Sequence, residues 1–243
     1  ASDPDADRIG CALPLPDRGW EATPEELVIN GNQVGVVLCH YILQQKKKAG
    51  QLPTRGLVCK TAVTTDLVHV IARSYGVDTV DDLLVGFKYI GATIDRMPDD
   101  MVFLFGTEES HGYLADARIR DKEAATGVLL AECAAVLKTQ GRTIRDELDE
   151  IYRTYGYFRE IQKSVTRTGA GGHREIMAIM KGLRGAPPKV IGGHLVIEAI
   201  DRQTGEALNQ RTDNIHSVAG DRGNILIFTF SETGHTRVTV RPS

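Results

Sequence analysis

Between Asn30 and Tyr155 the spacing of apolar residues switches repeatedly between helical and strand-like periods, with glycines at the switches. Val34, Val37, Leu38, Tyr41 and Ile42 fall on one face of a helix that begins at Asn30, and Gly50 follows its end. Leu57–Cys59 is a short strand-like run. Asp66–Tyr75 returns to helical spacing ahead of Gly76, and Lys88–Arg96 does so again. Val102–Phe105 is an apolar run that leads into a glycine-bounded loop. An Ala- and Leu-rich segment over residues 121–140, closed by Gly141, predicts a long helix. Thr143, with Asp146 and Glu147, predicts the N-cap of a further helix to Tyr155. Such alternation builds a parallel or mixed sheet covered by helices, an α/β fold.

The pattern changes on either side. Residues 9–12 read as the end of a strand, and residues 13–26, with Pro14, Pro16, Gly19 and Pro24, as a linker. After Gly156, residues 157–166 read as a strand and Glu175–Leu183 as a helix broken by Gly185-Ala186-Pro187-Pro188. His194–Asp201, Asn224–Phe230 and Thr236–Val240 alternate as strands, with hairpin turns at 203–205 and 233–235. The expected organisation is a short segment 1–25, a mixed-sheet α/β domain 26–155 and a smaller α+β domain 156–243.

Charge and composition exclude several function classes. A net charge of -3 over 243 residues leaves no basic excess for a nucleic-acid backbone. Lys46-Lys47-Lys48 closes a helix, where cations favour the negative end of the dipole. No apolar run approaches the roughly 18 residues of a membrane span, and no leader is visible. Cys11, Cys39, Cys59 and Cys133 lack metal or disulfide spacing, which suits a reducing compartment and a cytoplasmic location.

Three groups of residues carry chemistry. In Asp3-Pro4-Asp5-Ala6-Asp7-Arg8 the carboxylates at i, i+2 and i+4 converge only in a tight loop. Two carboxylates about 5 Å apart repel by roughly 3 kcal/mol at an effective dielectric near 20, so convergence calls for a cation. Hard oxygen ligands suit Mg²⁺, with positions left open for phosphate or water. A calcium EF-hand does not fit, because Arg8 and Pro14 stand where it needs Gly and an acid. The second group, Gly106-Thr107-Glu108-Glu109-Ser110-His111-Gly112, presents carboxylates and a hydroxyl suited to vicinal sugar hydroxyls. Taken alone, it reads as a polar turn after a buried strand. The third is a scatter of loop cations, Lys60, Lys88, Arg118, Arg120, Lys122, Arg237 and Arg241, of the kind an anionic substrate needs.

In order, Asp3-Pro-Asp-Ala-Asp-Arg8, Lys60-Thr61, Gly86-Phe87-Lys88, Gly106-Thr-Glu-Glu-Ser110, Arg120-Asp-Lys122 and Arg241-Pro-Ser243 resemble the α-D-phosphohexomutases. The closer likeness is to the bacterial phosphoglucomutase/phosphomannomutase proteins that grade into phosphopentomutases. It covers essentially the whole chain.

The resemblance implies four domains around one cleft, of which this chain holds the end of the second, the third and most of the fourth. It implies Mg²⁺ on Asp3, Asp5 and Asp7, with Arg8 supporting that loop and His111 supporting the sugar loop. Glu108 and Ser110 would bind sugar hydroxyls. Lys60, Gly86, Lys88, Lys122, Arg241 and Ser243 would contact the sugar phosphate, a glucose or mannose 1- or 6-phosphate. The implied reaction moves a phosphoryl group from a phosphoserine to the sugar and returns the other phosphate of the resulting bisphosphate to the serine. No Thr-Ala-Ser-His-Asn-Pro run stands in the chain, so the catalytic serine and the N-terminal domains are expected elsewhere in the same protein, and the isolated chain is expected to be inactive. Three other readings remain. One is a non-catalytic sugar-phosphate-binding module and another a phosphopentomutase. The third is a haloacid-dehalogenase-type phosphatase, in which Asp3 would be a nucleophile, although Asp7-Arg8 departs from that motif.

Overall fold

A computed structural model describes residues 1–119 and 124–242. The chain forms two compact units, Ala1–Glu160 and Ile161–Ser243. In the first, the elements run β1 (Cys11–Ala12), α1 (Pro24–Leu27), β2 (Val28–Ile29), α2 (Gly31–Lys48), β3 (Gly56–Thr61), α3 (Leu67–Ser74), β4 (Asp78–Leu83), α4 (Phe87–Asp95), β5 (Val102–Thr107), β6 (Tyr113–Leu114), α5 (Ala124–Thr139) and α6 (Ile144–Tyr155). The start expected at residue 121 for the long helix lies outside the described residues.

The sheet has the order β4-β3-β5-β6, with β3 parallel to both β4 and β5 and β6 antiparallel to β5. This is the mixed sheet expected from the alternation. Alternate residues of β3 divide between two cores. Val58 joins the large core formed with α2, α3, α5 and α6, while Leu57 and Cys59 join a smaller one with Ile90 and Ile94 of α4. Helices therefore cover both faces of the sheet. β4 was not legible in the sequence, because Asp78, Asp81 and Asp82 mask it and only Leu83 of its six residues is buried.

The register of β5 slips by one residue. Leu57 pairs with Phe103 but Val58 pairs with Phe105, which leaves Leu104 as a bulge. Leu104 and Phe105 consequently both enter the large core. A bulge bends a strand and re-aims the residues beyond it, here Gly106, Thr107 and the polar loop at the strand's end.

The first turn of α2 is pressed against that loop. Asn30 caps the helix reciprocally with Gln33, at 2.9 and 3.1 Å. A side chain on Gly31 would place its Cβ 2.0 Å from the Glu109 carbonyl oxygen. The buried Tyr113 hydroxyl donates to the Gly31 carbonyl at 3.0 Å. Further along, a Cβ on Gly35 would stand 2.5 Å from Thr107 Oγ1.

Two groups of charged residues hold the helices. His40 Nδ1 donates to Glu147 Oε1 at 2.8 Å, joining α2 to α6, and Arg142 pairs with the other Glu147 oxygen at 2.8 Å. Arg145 donates one guanidinium nitrogen to the carbonyls of Leu13, Glu26 and Leu27 and so straps the N-terminal segment to α6.

In the second unit, α7 (Gly169–Gly185) is followed by β7 (Val190–Ile191), β8 (His194–Leu195), β9 (Glu198–Asp201), β10 (Glu206–Asn209), β11 (Ile215–Ser217), β12 (Leu226–Thr229) and β13 (Arg237–Val240). An antiparallel sheet β11-β10-β9-β12-β13 packs Ala199, Leu226 and Phe228 around Met180 of α7, an α+β arrangement.

Two expectations fail here. Residues 157–166 form no strand. Phe158 packs on the first unit's core, but Tyr157, Ile161 and Val165 are 71%, 78% and 58% exposed, and among the described residues no strand pairs with the segment. His194–Asp201 is not one strand: β8 pairs with β7 in a separate two-stranded sheet, and Val196 and Ile197 lie between it and β9. The helix also starts earlier than Glu175. Its Gly169-Ala-Gly-Gly172 opening has poor intrinsic propensity, yet a Cβ on Gly172 would meet the Arg167 backbone at 2.6 Å.

The Glu147 carboxyl is held below its ordinary value of 4.5 by the His40 hydrogen bond, against the opposing effect of burial, with Arg142 assisting. A depressed carboxyl stabilises the fold above its unfolded value, and that contribution is lost as pH falls through the lower folded value. Glu147→Gln is expected to cost about 1–3 kcal/mol at neutral pH and to flatten the loss of stability below pH 4.5, as read by urea titration across pH. Gly31→Ala is expected to cost about 2–3 kcal/mol in the same assay, because its obstacle is backbone and cannot swing away.

Candidate functional site

The aspartate loop is a closed turn. Ser2 bridges Ile9 at its base, the Asp3 N–H donates to the Arg8 carbonyl at 3.3 Å, and the Ala6 N–H donates to the Asp3 carbonyl at 3.0 Å. Ala6 takes a positive φ of 55°, which lets the chain reverse within four residues. Each of Asp3, Asp5 and Asp7 offers a carboxylate oxygen, and the three lie within 4.8 Å of one another.

Asp3 organises the turn. Its Oδ1 accepts from the backbone N–H groups of Asp7 and Arg8, both at 3.1 Å. Its Oδ2 accepts from Arg8 Nε at 2.7 Å, and Arg8 also reaches Asp7 Oδ1 at 3.3 Å. Partial burial works to raise the Asp3 carboxyl, but the hydrogen bonds from Arg8 and Asp7 outweigh it and hold the group below its ordinary value. Among the described residues, Arg8 is the cation paired with these carboxylates. A cation held at about 2.1 Å spaces its ligands by about 3.0 Å in cis and 4.2 Å in trans, so the three oxygens need only a small contraction to share one. An all-carboxylate donor set of this kind fits Mg²⁺.

The second loop follows the bulged strand. Glu108 is buried, at 7% exposure, and its Oε1 accepts from the Gly86 N–H at 2.6 Å. Gly86 has a φ of 123°, open only to glycine, which turns its amide toward that oxygen. The sequence motifs at Gly86 and Glu108 are thus joined directly. Glu109 is half-buried, with Oε2 3.5 Å from the Thr61 hydroxyl, and Ser110 is exposed.

His111, at φ 70°, faces the aspartate loop. The Ile9 N–H donates to the His111 carbonyl at 3.1 Å, and His111 Nδ1 bonds the Ile9 carbonyl at 3.1 Å. Residues separated by 102 positions thereby bring the two acidic loops together in one unit.

The cations distribute differently from expectation. Lys60 is 1% exposed. Its Nζ pairs with Asp66 at 2.8 Å and donates to the carbonyls of Asp81, Thr64 and Thr61 at 2.8, 3.2 and 3.3 Å. Enclosed in this way, it holds the turn 61–66 and presents no ammonium to a substrate. Lys88 is exposed and lies over the Tyr89 ring at 5.0 Å. Arg118 is taken up by Asp116 at 2.6 Å. Arg120, Lys122 and Ser243 lie outside the described residues. Arg241 is half-buried just after β13 in the second unit.

Several supporting residues were not singled out in the sequence. Asn32 Oδ1 accepts from the Thr65 N–H at 2.9 Å, Asp66 neutralises Lys60, and Gly31 lies against Glu109. The run Asn30-Gly-Asn-Gln33 carries a capping signature that would have marked this turn.

The family description "Phosphoglucomutase/phosphomannomutase, alpha/beta/alpha domain III" matches residues 30–155. The phosphoglucomutase of Staphylococcus aureus strain USA300 is 34% identical over 244 residues, covering 100% of this chain and 42% of its own length. That of strain MSSA476 matches to the same extent. The chain thus spans less than half the length of these relatives. In fold, the chain resembles the open form of pp63/parafusin, a phosphoglucomutase from Paramecium, with a TM-score of 0.55 at 14% identity, over 99% of this chain and 37% of that one. The sheet with helices on both faces occupies the matched residues, and the chain belongs to the phosphoglucomutase/phosphomannomutase family.

Proposed function

We propose that the protein carrying this chain is a phosphohexomutase that interconverts the 1- and 6-phosphates of glucose or mannose, and that this chain supplies its metal loop and sugar loop. The observation that carries the reading is the double hydrogen bond between Ile9 and His111, which sets a three-carboxylate loop beside a Glu-Glu-Ser loop in one unit.

The chemistry needs positioning and charge neutralisation more than covalent participation by this chain. Asp3, Asp5 and Asp7 would hold Mg²⁺, which when bound withdraws charge from phosphoryl oxygens. Arg8 limits the repulsion among those carboxylates and keeps Asp3 ionised. Glu108 and Ser110 would take sugar hydroxyls in either orientation of the ring, with Gly86 holding the Glu108 carboxylate. Lys88, Lys122, Arg241 and Ser243 are the groups assigned to phosphate. Lys60 is left out, because its charge is spent on Asp66. In the reaction, the phosphoserine P–O bond breaks as the phosphoryl group passes to the free hydroxyl of the sugar phosphate. The bisphosphate then returns its other phosphoryl group to the serine.

Calorimetric titration of the 243-residue chain with Mg²⁺ tests the loop. One site is expected, and Asp5→Asn should weaken it about tenfold or more by removing one of three anionic ligands. No heat of binding in the unsubstituted chain would refute the assignment. In a protein carrying this chain at the length of its relatives, glucose 1-phosphate should be converted to glucose 6-phosphate. Glu108→Gln there should raise KM and lower kcat/KM by about tenfold, the cost of a lost charged hydrogen bond. Unchanged kinetics would remove Glu108 from the sugar site.

A further inference from the structure

We propose that His111 is a positioning residue that fixes the register of the aspartate loop against the sugar loop. The proposal rests on reading the two loops as parts of one site. Among the described residues, the hydrogen bonds of residues 3–8 all stay within the segment 1–10. The turn is cross-linked internally and, among the described residues, has no polar tie of its own to the sheet domain. Ile9, at its base, provides that tie. Its side chain is buried in the large core, and both of its backbone polar groups bond His111, one to the carbonyl and one to the ring.

The chemistry of the pair fixes the imidazole. A carbonyl oxygen can only accept, so Nδ1 carries the proton toward Ile9. The hydrogen bond thereby holds the ring in one orientation. The backbone conformation serves the same end. His111 stands at φ 70°, a left-handed conformation that is uncommon for a residue with a side chain, although His, Asn and Asp tolerate it better than most.

The neighbouring residues cannot relax to relieve it. A Cβ on Gly112 would meet the Phe87 ring at 2.5 Å, and Tyr113 is fully buried with its hydroxyl on Gly31. The sugar loop is thus anchored on α2 and α4, and His111 passes that anchorage to the aspartate loop. A metal-held phosphoryl group and a sugar hydroxyl must sit at a set separation, and displacement by about 1 Å can cost a hundredfold in rate.

The test separates the ring from the backbone. His111→Gly removes the imidazole but keeps the left-handed conformation available. His111→Asn keeps that conformation and a short side-chain N–H donor. Amide hydrogen exchange of the 243-residue chain is followed over residues 2–9, with thermal unfolding recorded alongside. In His111→Gly, exchange should quicken about tenfold, the value of one hydrogen bond, with the global melting transition little moved. His111→Asn should recover most of the protection. Titration with Mg²⁺ alone should rank the three proteins in the same order.

Equal protection in His111→Gly and the unsubstituted chain overturns the proposal, as does His111→Asn behaving like His111→Gly. Failure of the unsubstituted chain to bind Mg²⁺ overturns the metal reading instead, and the exchange order still decides the role of His111.

Discussion

The contact between the first turn of α2 and the loop after β5 is the constraint on which the site depends. With no side chain on Gly31, the helix start closes onto the Glu109 carbonyl to a distance that any Cβ would forbid. The same turn holds Thr65 through Asn32 and accepts the Tyr113 hydroxyl at Gly31. Three segments distant in sequence, the start of α2, the turn at Thr65 and the loop from Glu109 to Tyr113, therefore meet at one helix end. The cap at Asn30 matters for the same reason: it satisfies the Gln33 amide internally and spares the neighbouring loop that task.

Charge is handled in two ways in the first unit. Lys60 and Asp66 are both buried, and their pairing is completed by three carbonyls around the ammonium. Such a group gives little net stability but is costly to break, so it fixes the geometry of the turn it joins. The aspartate loop is the opposite case. Its three carboxylates stay near solvent, and among the described residues Arg8 is the cation paired with them, which leaves the residual negative charge on which the proposed Mg²⁺ site rests. The charge of Lys60 and Asp66 is spent on structure, and that of the aspartate loop is left near solvent.

Much of this was legible in the sequence wherever the signal was local. The periodicity of α2, the N-cap at Thr143 and the close spacing of Asp3, Asp5 and Asp7 each depend on a few neighbouring residues. Lys60 shows where local reading stops. A lysine after a strand suits an anion site equally well, and only the fold reveals that Asp66 and the Asp81 carbonyl enclose it. The same holds for residues 157–166, read as a strand, whose Tyr157, Ile161 and Val165 are exposed and which find no partner strand among the described residues. β4 failed in the other direction, since a sheet-edge position tolerates the aspartates that hid it.

The bulge at Leu104 links these observations. Without it, strict alternation along β5 would carry Phe105 to the α4 side of the sheet, and every later residue would change face. The extra residue instead delivers Thr107 toward Gly35 of α2 and leaves Glu108 to meet the Gly86 amide. A polar loop that would otherwise be an ordinary turn after a buried strand thus becomes anchored at both sides, by α2 through Gly31 and by the start of α4 through Gly86. Only with that anchorage in place can His111 hold the aspartate loop in a defined register, because a hydrogen bond transmits position only from a group that is itself fixed.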